Sequence, residues 1–439
     1  MENTKITGYL PDERPPVWKL ILFALQQILI MFPATVLVAM LTGFHISTTL
    51  FASGLATLGF ILITKGQIPL YYGSSFSYIA AICSITGVTE LGKVAPDALI
   101  SRAQFGIVAS GLISIAAGLI INRFGKEKVD KVLPPTITGG IAIVIGLSLA
   151  GSAMTNASGN WTVAIITLLA TIFFSVFLKG TLGQLPILFG ILVGYALSIP
   201  LGLIDFTTVT SASIITAPHF TFPKVDFTTA LAIMPIAIAT IPESSAHLFQ
   251  LDLYVNDLSN KMGKNKDYKI ASKLGLNLIG DGLGDMISGF VGGPAGTNYG
   301  ENLSTMAITR NFSTAMLVVA AVITMVLSFF GKLSALVLSI PNAVIGGITI
   351  YLFGVIGVQG VALMINSKVD MFSNKNLAVV STILVIGLGG SFGFSGGLIP
   401  MFGGKLPAIA TAAIFGIVLN LILNSKVIFG KSKPVINKE

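Results

Sequence analysis

The chain reads as an all-α polytopic membrane protein, on three grounds. Hydrophobic residues make up 53% of its 439 residues and charged residues only 10%, with a mean hydropathy of +0.88, a balance foreign to a soluble domain of this length. Fourteen stretches are apolar over windows of about 17 to 25 residues, the length that crosses a bilayer as a helix. Two of them are broken at matching places, by Tyr72-Gly73-Ser74-Ser75 after Pro69 and by Tyr299-Gly300-Glu301-Asn302 after Pro294.

The spans fall near 18–42, 47–64, 69–84, 104–121, 136–154, 161–178, 186–203, 228–248, 270–288, 297–309, 313–331, 342–362, 377–394 and 406–424. The first follows 16 polar residues of mixed charge and is long enough to span, so it serves as an uncleaved anchor. Spans three and ten hold the interruptions and are read as containing short extended stretches. Glycine, proline and a carboxylate at membrane depth leave backbone groups that lipid cannot satisfy, so these segments must line an enclosed, water-accessible cavity. Paired interruptions of this kind mark a transporter's binding site.

An even number of spans puts both termini on one side. With a cytoplasmic N-terminus, 21 of the 26 Lys and Arg residues fall on inner segments, and only Lys93, Arg102, Lys224, Lys332 and Lys405 on outer ones. The positive-inside rule therefore favours N-in and C-in. The same distribution explains the basic pI without nucleic acid: the run from Lys261 to Lys273 is a cytoplasmic loop near anionic headgroups. The single cysteine, Cys83, excludes an intramolecular disulfide and any cysteine-based metal site.

A second motif recurs. Pro134 precedes Gly139-Gly140-Ile141 at the start of span five, and Pro341 precedes Gly346-Gly347-Ile348 at the start of span twelve, 207 residues later. The Tyr-Gly pair recurs after 227 residues. Two halves of about seven spans follow, and an odd number of spans inverts the second half in the membrane. Inverted repeats place the site between discontinuous helices and permit alternating access.

Ionisable residues inside spans are candidate functional residues, since a mid-bilayer carboxylate costs about 2.5–3.5 kcal/mol on insertion scales. In span eight, Pro235 and Pro242 lead into Glu243-Ser244-Ser245-Ala246-His247. Glu243 and His247, four apart, share a helical face and can meet the same ligand or proton. Burial disfavours the charged carboxylate, which suits Glu243 to proton exchange. Zinc binding at Glu-x-x-x-His fails for want of further ligands, because His45 and His219 fall in outer loops. A Ser-His hydrolase fails too, since Ser244 and Ser245 point away from His247's face and no oxyanion donor is identified.

Span ten supplies Glu301 and Asn302 beside a glycine-rich approach whose free N–H groups and helix N-terminus can donate to a ligand. Asp281 and Asp285 of span nine face a polar seam or the membrane surface. No Gly-x-x-x-x-Gly-Lys-Ser/Thr loop is present, which argues against ATP-driven transport by this chain. Two carboxylates, an asparagine, a histidine and exposed amides suit a small planar ligand with both donors and acceptors, with Phe76 and Tyr299 covering its faces. Anionic substrates would meet two negative groups and no cation.

The stretch Glu301-Asn302-Leu303-Ser304-Thr305-Met306-Ala307-Ile308-Thr309-Arg310 resembles the signature of the nucleobase/ascorbate transporter family: Gln or Glu, Asn, any residue, Gly, four residues, Thr, then Arg or Lys. Ser304 replaces the usual glycine. The resemblance extends through Tyr72-Gly73-Ser74-Ser75-Phe76, Leu133-Pro134-Pro135 and Glu243-x-x-x-His247, and is strongest to the family's bacterial uracil carriers. It implies substrate contacts from Glu243, Glu301, Phe76, Gly300, His247, Tyr299, Asn302 and Ser75, with Glu243 and His247 in proton coupling, no catalytic residue, no metal and no cofactor.

The resemblance also implies 14 transmembrane segments in a seven-plus-seven inverted repeat. A core domain (1–135 and 228–337) would move against a gate domain (136–227 and 338–425), followed by a basic cytoplasmic tail (426–439). Proton-coupled uracil uptake by a homodimer in the bacterial cytoplasmic membrane follows, with purine or xanthine carriage and sodium coupling as alternatives. Purine carriers tend to have Gln where this chain has Glu301. Pro242 beside Glu243 departs from the expected pattern and leaves the helix geometry there open.

Overall fold

A computed structural model describes residues 7–88, 92–125, 133–401 and 404–424. The tail over 426–439 lies outside the described residues, as do Lys5, Lys126, Lys128 and Lys131 of the charge count. Among the described residues, helices of seven residues or more are numbered here as α1 Val17–Thr42, α2 Ile46–Ile63, α3 Ile79–Thr86, α4 Asp97–Phe124, α5 Pro135–Ser148, α6 Ala150–Ser158, α7 Trp161–Phe177, α8 Pro186–Ser198, α9 Phe227–Ile233, α10 Ile236–Lys261, α11 Leu274–Val291, α12 Gly300–Thr309, α13 Thr314–Leu327, α14 Gly331–Leu338, α15 Asn342–Asn366, α16 Asn374–Leu384 and α17 Ala408–Leu423. Strands are β1 Tyr72–Ser74, β2 Gly296–Asn298, β3 Leu398–Met401 and β4 Gly404–Pro407.

Seven helical segments are long and apolar enough to cross a membrane: Val17–Thr42, Ile46–Ile63, Asp97–Phe124, Pro135–Ser158, Phe227–Lys261, Asn342–Asn366 and Asn374–Gly393. Five shorter apolar helices accompany them. Their ends follow local chemistry. Gly43 closes α1 with φ 77° and its N–H bonded to the Ala39 carbonyl, and Gly292 closes α11 with φ 101°, conformations that only glycine adopts cheaply. Pro134 and Pro341 stand immediately before α5 and α15, where a missing N–H removes no helical bond.

Three features differ from the reading of the sequence. Span eight runs on in α10 to Lys261, well past 248, because its polar second half is a surface helix with a Lys261–Asp257 ion pair one turn apart. Pro235 sits at the junction of α9 and α10. The chain also holds an unforeseen helix, α14, and an unforeseen hairpin, β3 with β4.

The interrupted spans meet each other. Strand β1 pairs antiparallel with β2 in the register Tyr72↔Asn298, Gly73↔Thr297, Ser74↔Gly296. β1 runs through a short 3-10 turn, Phe76–Tyr78, into α3, and β2 runs directly into α12. Since the strands are antiparallel, the two short helices leave the crossing in opposite directions with both N-termini beside it. Around the crossing α2 packs on α11 and α13, α4 on α11, and α1 on α13; elsewhere α5 packs on α15.

These helices approach closely at glycines, as expected where lipid supplies no hydrophobic drive and close backbone packing must hold helices together. A Cβ at Gly111 would lie 2.4 Å from the Gly282 carbonyl oxygen, and one at Gly146 would lie 2.4 Å from the Gly357 nitrogen. Gly111→Ala should therefore force α4 from α11 and lower the thermal midpoint in detergent, in line with about 1–3 kcal/mol of overpacking. Gly354→Ala, which meets nothing within 4 Å, should leave it near the parent value. Equal midpoints for the two variants, read by fluorescence melts, would refute the contact.

Candidate functional site

The β1–β2 crossing would be untenable without polar support, because six backbone positions have left helical hydrogen bonding. Support comes from two flanking helices. From α2, Ser53 Oγ donates to the Tyr72 carbonyl at 2.8 Å, while Thr57 Oγ1 donates to the same oxygen at 3.1 Å and accepts from Tyr72 N. From α11, Asp285 Oδ1 accepts both the Tyr72 hydroxyl at 2.5 Å and the Gly296 N–H at 2.8 Å. Ser288 Oγ donates to the Pro294 carbonyl. The crossing is lengthened by Tyr299 N donating to the Tyr71 carbonyl and Ser75 N to the Ala295 carbonyl.

Glycine is required at its centre. A Cβ on Gly73 would lie 2.4 Å from the Tyr299 ring, and one on Gly284 would lie 2.4 Å from the Tyr72 ring. Tyr299 is fixed in turn: its hydroxyl donates to the Ser74 carbonyl at 2.8 Å and is bonded to Thr35 of α1.

Beside the crossing lies a cavity of about 340 Å³. One wall is the chain from Ser74 to Ser77; a second is Thr297 through Glu301 with Ser304; a third is Glu243, His247 and Gln250 of α10; the fourth is Leu352, Val355, Ile356 and Gln359 of α15. The three walls other than α15 are polar and interlinked. Glu243 and Glu301 are both exposed and both line this space. Among the described residues neither carboxylate has an ion pair. At the Phe76–Tyr78 turn the Ser77 N–H is capped by Ser75 Oγ, which leaves the Phe76 N–H and the first-turn N–H groups of α12 without intrahelical partners and able to donate along the same cavity.

Of the residues named from the sequence, Ser75, Phe76, Glu243, His247, Tyr299, Gly300 and Glu301 all line this cavity. Ser75 is buried, and its hydroxyl accepts from the Ser77 N–H. His247 packs its ring on Gly300, where a Cβ would come within 2.7 Å of Nε2. Asn302 does not line the cavity. It is fully buried, and its Nδ2 donates to the Gln27 carbonyl at 3.0 Å and to Gln27 Oε1 at 2.7 Å. One residue along the helix from Glu301 turns a side chain by about 100°, which sends Asn302 into α1 instead.

Asp281 and Asp285, read as seam or surface residues, prove to be the buried seam. Asp281 accepts from the Ser244 hydroxyl, which also accepts from Asn277 Nδ2 at 2.6 Å, and Asn298 Nδ2 reaches both Ser244 and Asn277. Gln250 and Gln359 were not singled out from the sequence. Gln250 continues the Glu243–His247 face at the next turn, and Gln359 is the one amide in the apolar run of α15; either spacing was a usable signal.

Asp285→Ala should leave the Tyr72 hydroxyl and the Gly296 N–H unpaired, at about 1–3 kcal/mol for each buried donor. The thermal midpoint of the purified protein should drop markedly, whereas Glu243→Gln, which loses no described protein partner, should stay near the parent. An Asp285→Ala protein as stable as the parent would remove the supporting role.

Known proteins resemble this chain over most of its length. A family model described as a permease family matches residues 18–396. The uracil permease of Bacillus caldolyticus is 40% identical over 428 residues, covering 94% of each chain. The putative pyrimidine permease RutG of Escherichia coli K12 is 35% identical over 440 residues, covering 98% of this chain and 95% of that one. Among solved structures, the transmembrane domain of the cyanobacterial bicarbonate transporter BicA superposes with a TM-score of 0.52 at 15% identity, over 92% of this chain and 96% of that one. That likeness concerns the fold of a membrane transporter alone.

Proposed function

The chain belongs to the nucleobase permease family, and we propose that it takes up uracil across the bacterial cytoplasmic membrane by proton-coupled alternating access. The observation that carries this reading is the pair of unpaired carboxylates, Glu243 and Glu301, in one small cavity with the N-termini of two short helices. Uracil presents ring N–H donors and exocyclic carbonyl acceptors. The carboxylates accept from the former, and the backbone N–H groups of Phe76 and Gly300 donate to the latter. The Phe76 and Tyr299 rings bound the heterocycle, and His247 assists from the turn after Glu243. Ser75 and Asn302 position these groups, the one through the Ser77 amide and the other through Gln27.

Fourteen spans are supported by the seven long apolar helices, the five shorter ones, α11, and the β2–α12 unit. The inverted repeat is supported by reciprocal packing. Span four lies on span nine as span eleven lies on span two, while spans two and nine, three and ten, and five and twelve pair with each other. In this reading a core domain (1–135 and 228–337) holds the carboxylates, and a gate domain (136–227 and 338–425) supplies α15 as the largely apolar wall that slides past. Both termini face the cytoplasm, and the protein works as a homodimer.

Coupling follows if a proton carried by Glu243, with His247 one turn away, is taken up and released once per cycle. Labelled uracil uptake into cells lacking their own permease should collapse on adding a protonophore; uptake that persists but tracks a sodium gradient would replace protons by sodium. Glu243→Gln should abolish concentrative uptake. Glu301→Ala should raise the uracil Kd about 10- to 100-fold, the loss of one or two hydrogen bonds to a charged group. Wild-type binding and uptake in both variants would discard this site, and competition by xanthine stronger than by uracil would shift the substrate to a purine.

A further inference from the structure

Two of the chain's three histidines meet far from the carboxylate cavity. His45 is the residue before α2, Asp97 begins α4, and His219 lies in the connection between Ser211 and α9. His219 Nε2 is 2.9 Å from Asp97 Oδ2, and His45 Nε2 is 3.8 Å from Asp97 Oδ1. One nitrogen from each imidazole and one carboxylate oxygen all lie within 4.8 Å of one another. The two rings are 4.5 Å apart, tilted by 48°.

A simple His–Asp ion pair accounts for His219 and Asp97 but leaves His45 unexplained. Its Nε2 is buried, has no hydrogen-bond partner, and is aimed at a carboxylate already engaged by the other ring. An unplaced ion is one of the regular causes of a buried polar atom without a partner. The three side chains also hang from fixed backbone. Thr48 Oγ1 donates to the His219 carbonyl at 2.7 Å, Gln104 Nε2 to the Thr221 carbonyl at 2.8 Å, and Lys224 N to the Ser101 carbonyl at 2.9 Å. These bonds hold the segment carrying His219 down on α2 and α4.

We propose that His45, Asp97 and His219 form a binding site for a zinc-type divalent cation. Two imidazole nitrogens and one carboxylate oxygen are a ligand set that suits zinc, with water in the fourth position. Tetrahedral bonds of about 2.0–2.2 Å put ligand atoms about 3.4 Å apart, so small side-chain rotations bring the present arrangement into coordination. The cation replaces the His219–Asp97 hydrogen bond by two metal bonds and gives the orphaned His45 nitrogen its partner. Bound there, it fastens the 212–226 connection to the starts of two helices.

The test is a titration of tag-free, full-length protein in detergent with Zn²⁺, in competition with a chromophoric indicator, together with thermal melts. One equivalent should bind tightly and raise the midpoint, EDTA should reverse the rise, and Co²⁺ should give the visible absorption of a tetrahedral centre. His45→Ala, Asp97→Asn and His219→Ala should each weaken binding by more than the roughly 10- to 100-fold that loss of an outer-shell partner costs, while His247→Ala should retain it. Should one of the three fail to fold, the remaining two and the Co²⁺ spectrum of the parent still decide. Absence of stoichiometric binding by the parent, or binding unchanged in the three variants, would reduce the cluster to a proton-sharing His–Asp–His group and overturn the site.

Discussion

The constraint on which this structure turns is the backbone of two short strands. Residues 72–74 and 296–298 lie where neither a helix nor solvent satisfies their N–H and C=O groups. The chain solves this by pairing them with each other and by recruiting Ser53, Thr57, Asp285 and Ser288 to the groups that pairing leaves over. Once the strands cross, much else follows. Gly73, Gly284 and Gly296 must lack side chains because aromatic rings or backbone fill their space. The two short helices must point away from the crossing, so that the Phe76–Tyr78 turn before α3 and the start of α12 both lie beside the cavity.

Polar supports and cavity groups are accordingly different residues. Asp285 accepts from Tyr72 and Gly296 and Asp281 from Ser244, so both hold the frame, and neither lines the cavity. Glu243 and Glu301 have no such described partners and face the cavity. Four acids lie near one another, and it is hydrogen bonding that sorts them into scaffold and site. Three cavity walls are bound together through β1, β2, α10 and α11, whereas α15 contributes mainly Leu352, Val355 and Ile356. A wall held by dispersion contacts can be exchanged for another without breaking directional bonds, which is what the proposed sliding of one domain past the other requires.

Much of this was legible from sequence because membranes simplify the reading. Apolar length locates membrane-crossing helices, and seven of the assigned segments contain helices long and apolar enough to cross, with five more containing shorter apolar helices. The interruptions at Tyr72-Gly73 and Tyr299-Gly300 announced the cavity because glycine and proline at membrane depth have few other uses. The fate of individual polar side chains was less legible. Asn302 adjoins Glu301 yet serves α1 through Gln27, a partner 275 residues away, and nothing local distinguishes the two directions. The meeting of His45 with His219 depends on how an irregular connection lies over helix starts, which no periodicity encodes. The tight α4–α11 contact at Gly111 and Gly282 was likewise invisible among 48 glycines.

Pro242 shows how a local irregularity is absorbed. Within a helix it donates no hydrogen bond to the Ile238 carbonyl and crowds that turn, yet α10 continues unbroken from Ile236 to Lys261. Side-chain bonds flank it on both sides. Thr240 Oγ1 donates to the Ala237 carbonyl and Ser245 Oγ to the Ile241 carbonyl, while Ser244 is tied to Asp281, Asn277 and Asn298. Consecutive helical residues point about 100° apart, so anchoring Ser244 on α11 and β2 fixes the rotation of the turn and directs Glu243 into the cavity. The weakened turn on one side and the anchored serine on the other thus set Glu243's direction by bonds that the carboxylate itself does not make, leaving its oxygens available to a ligand.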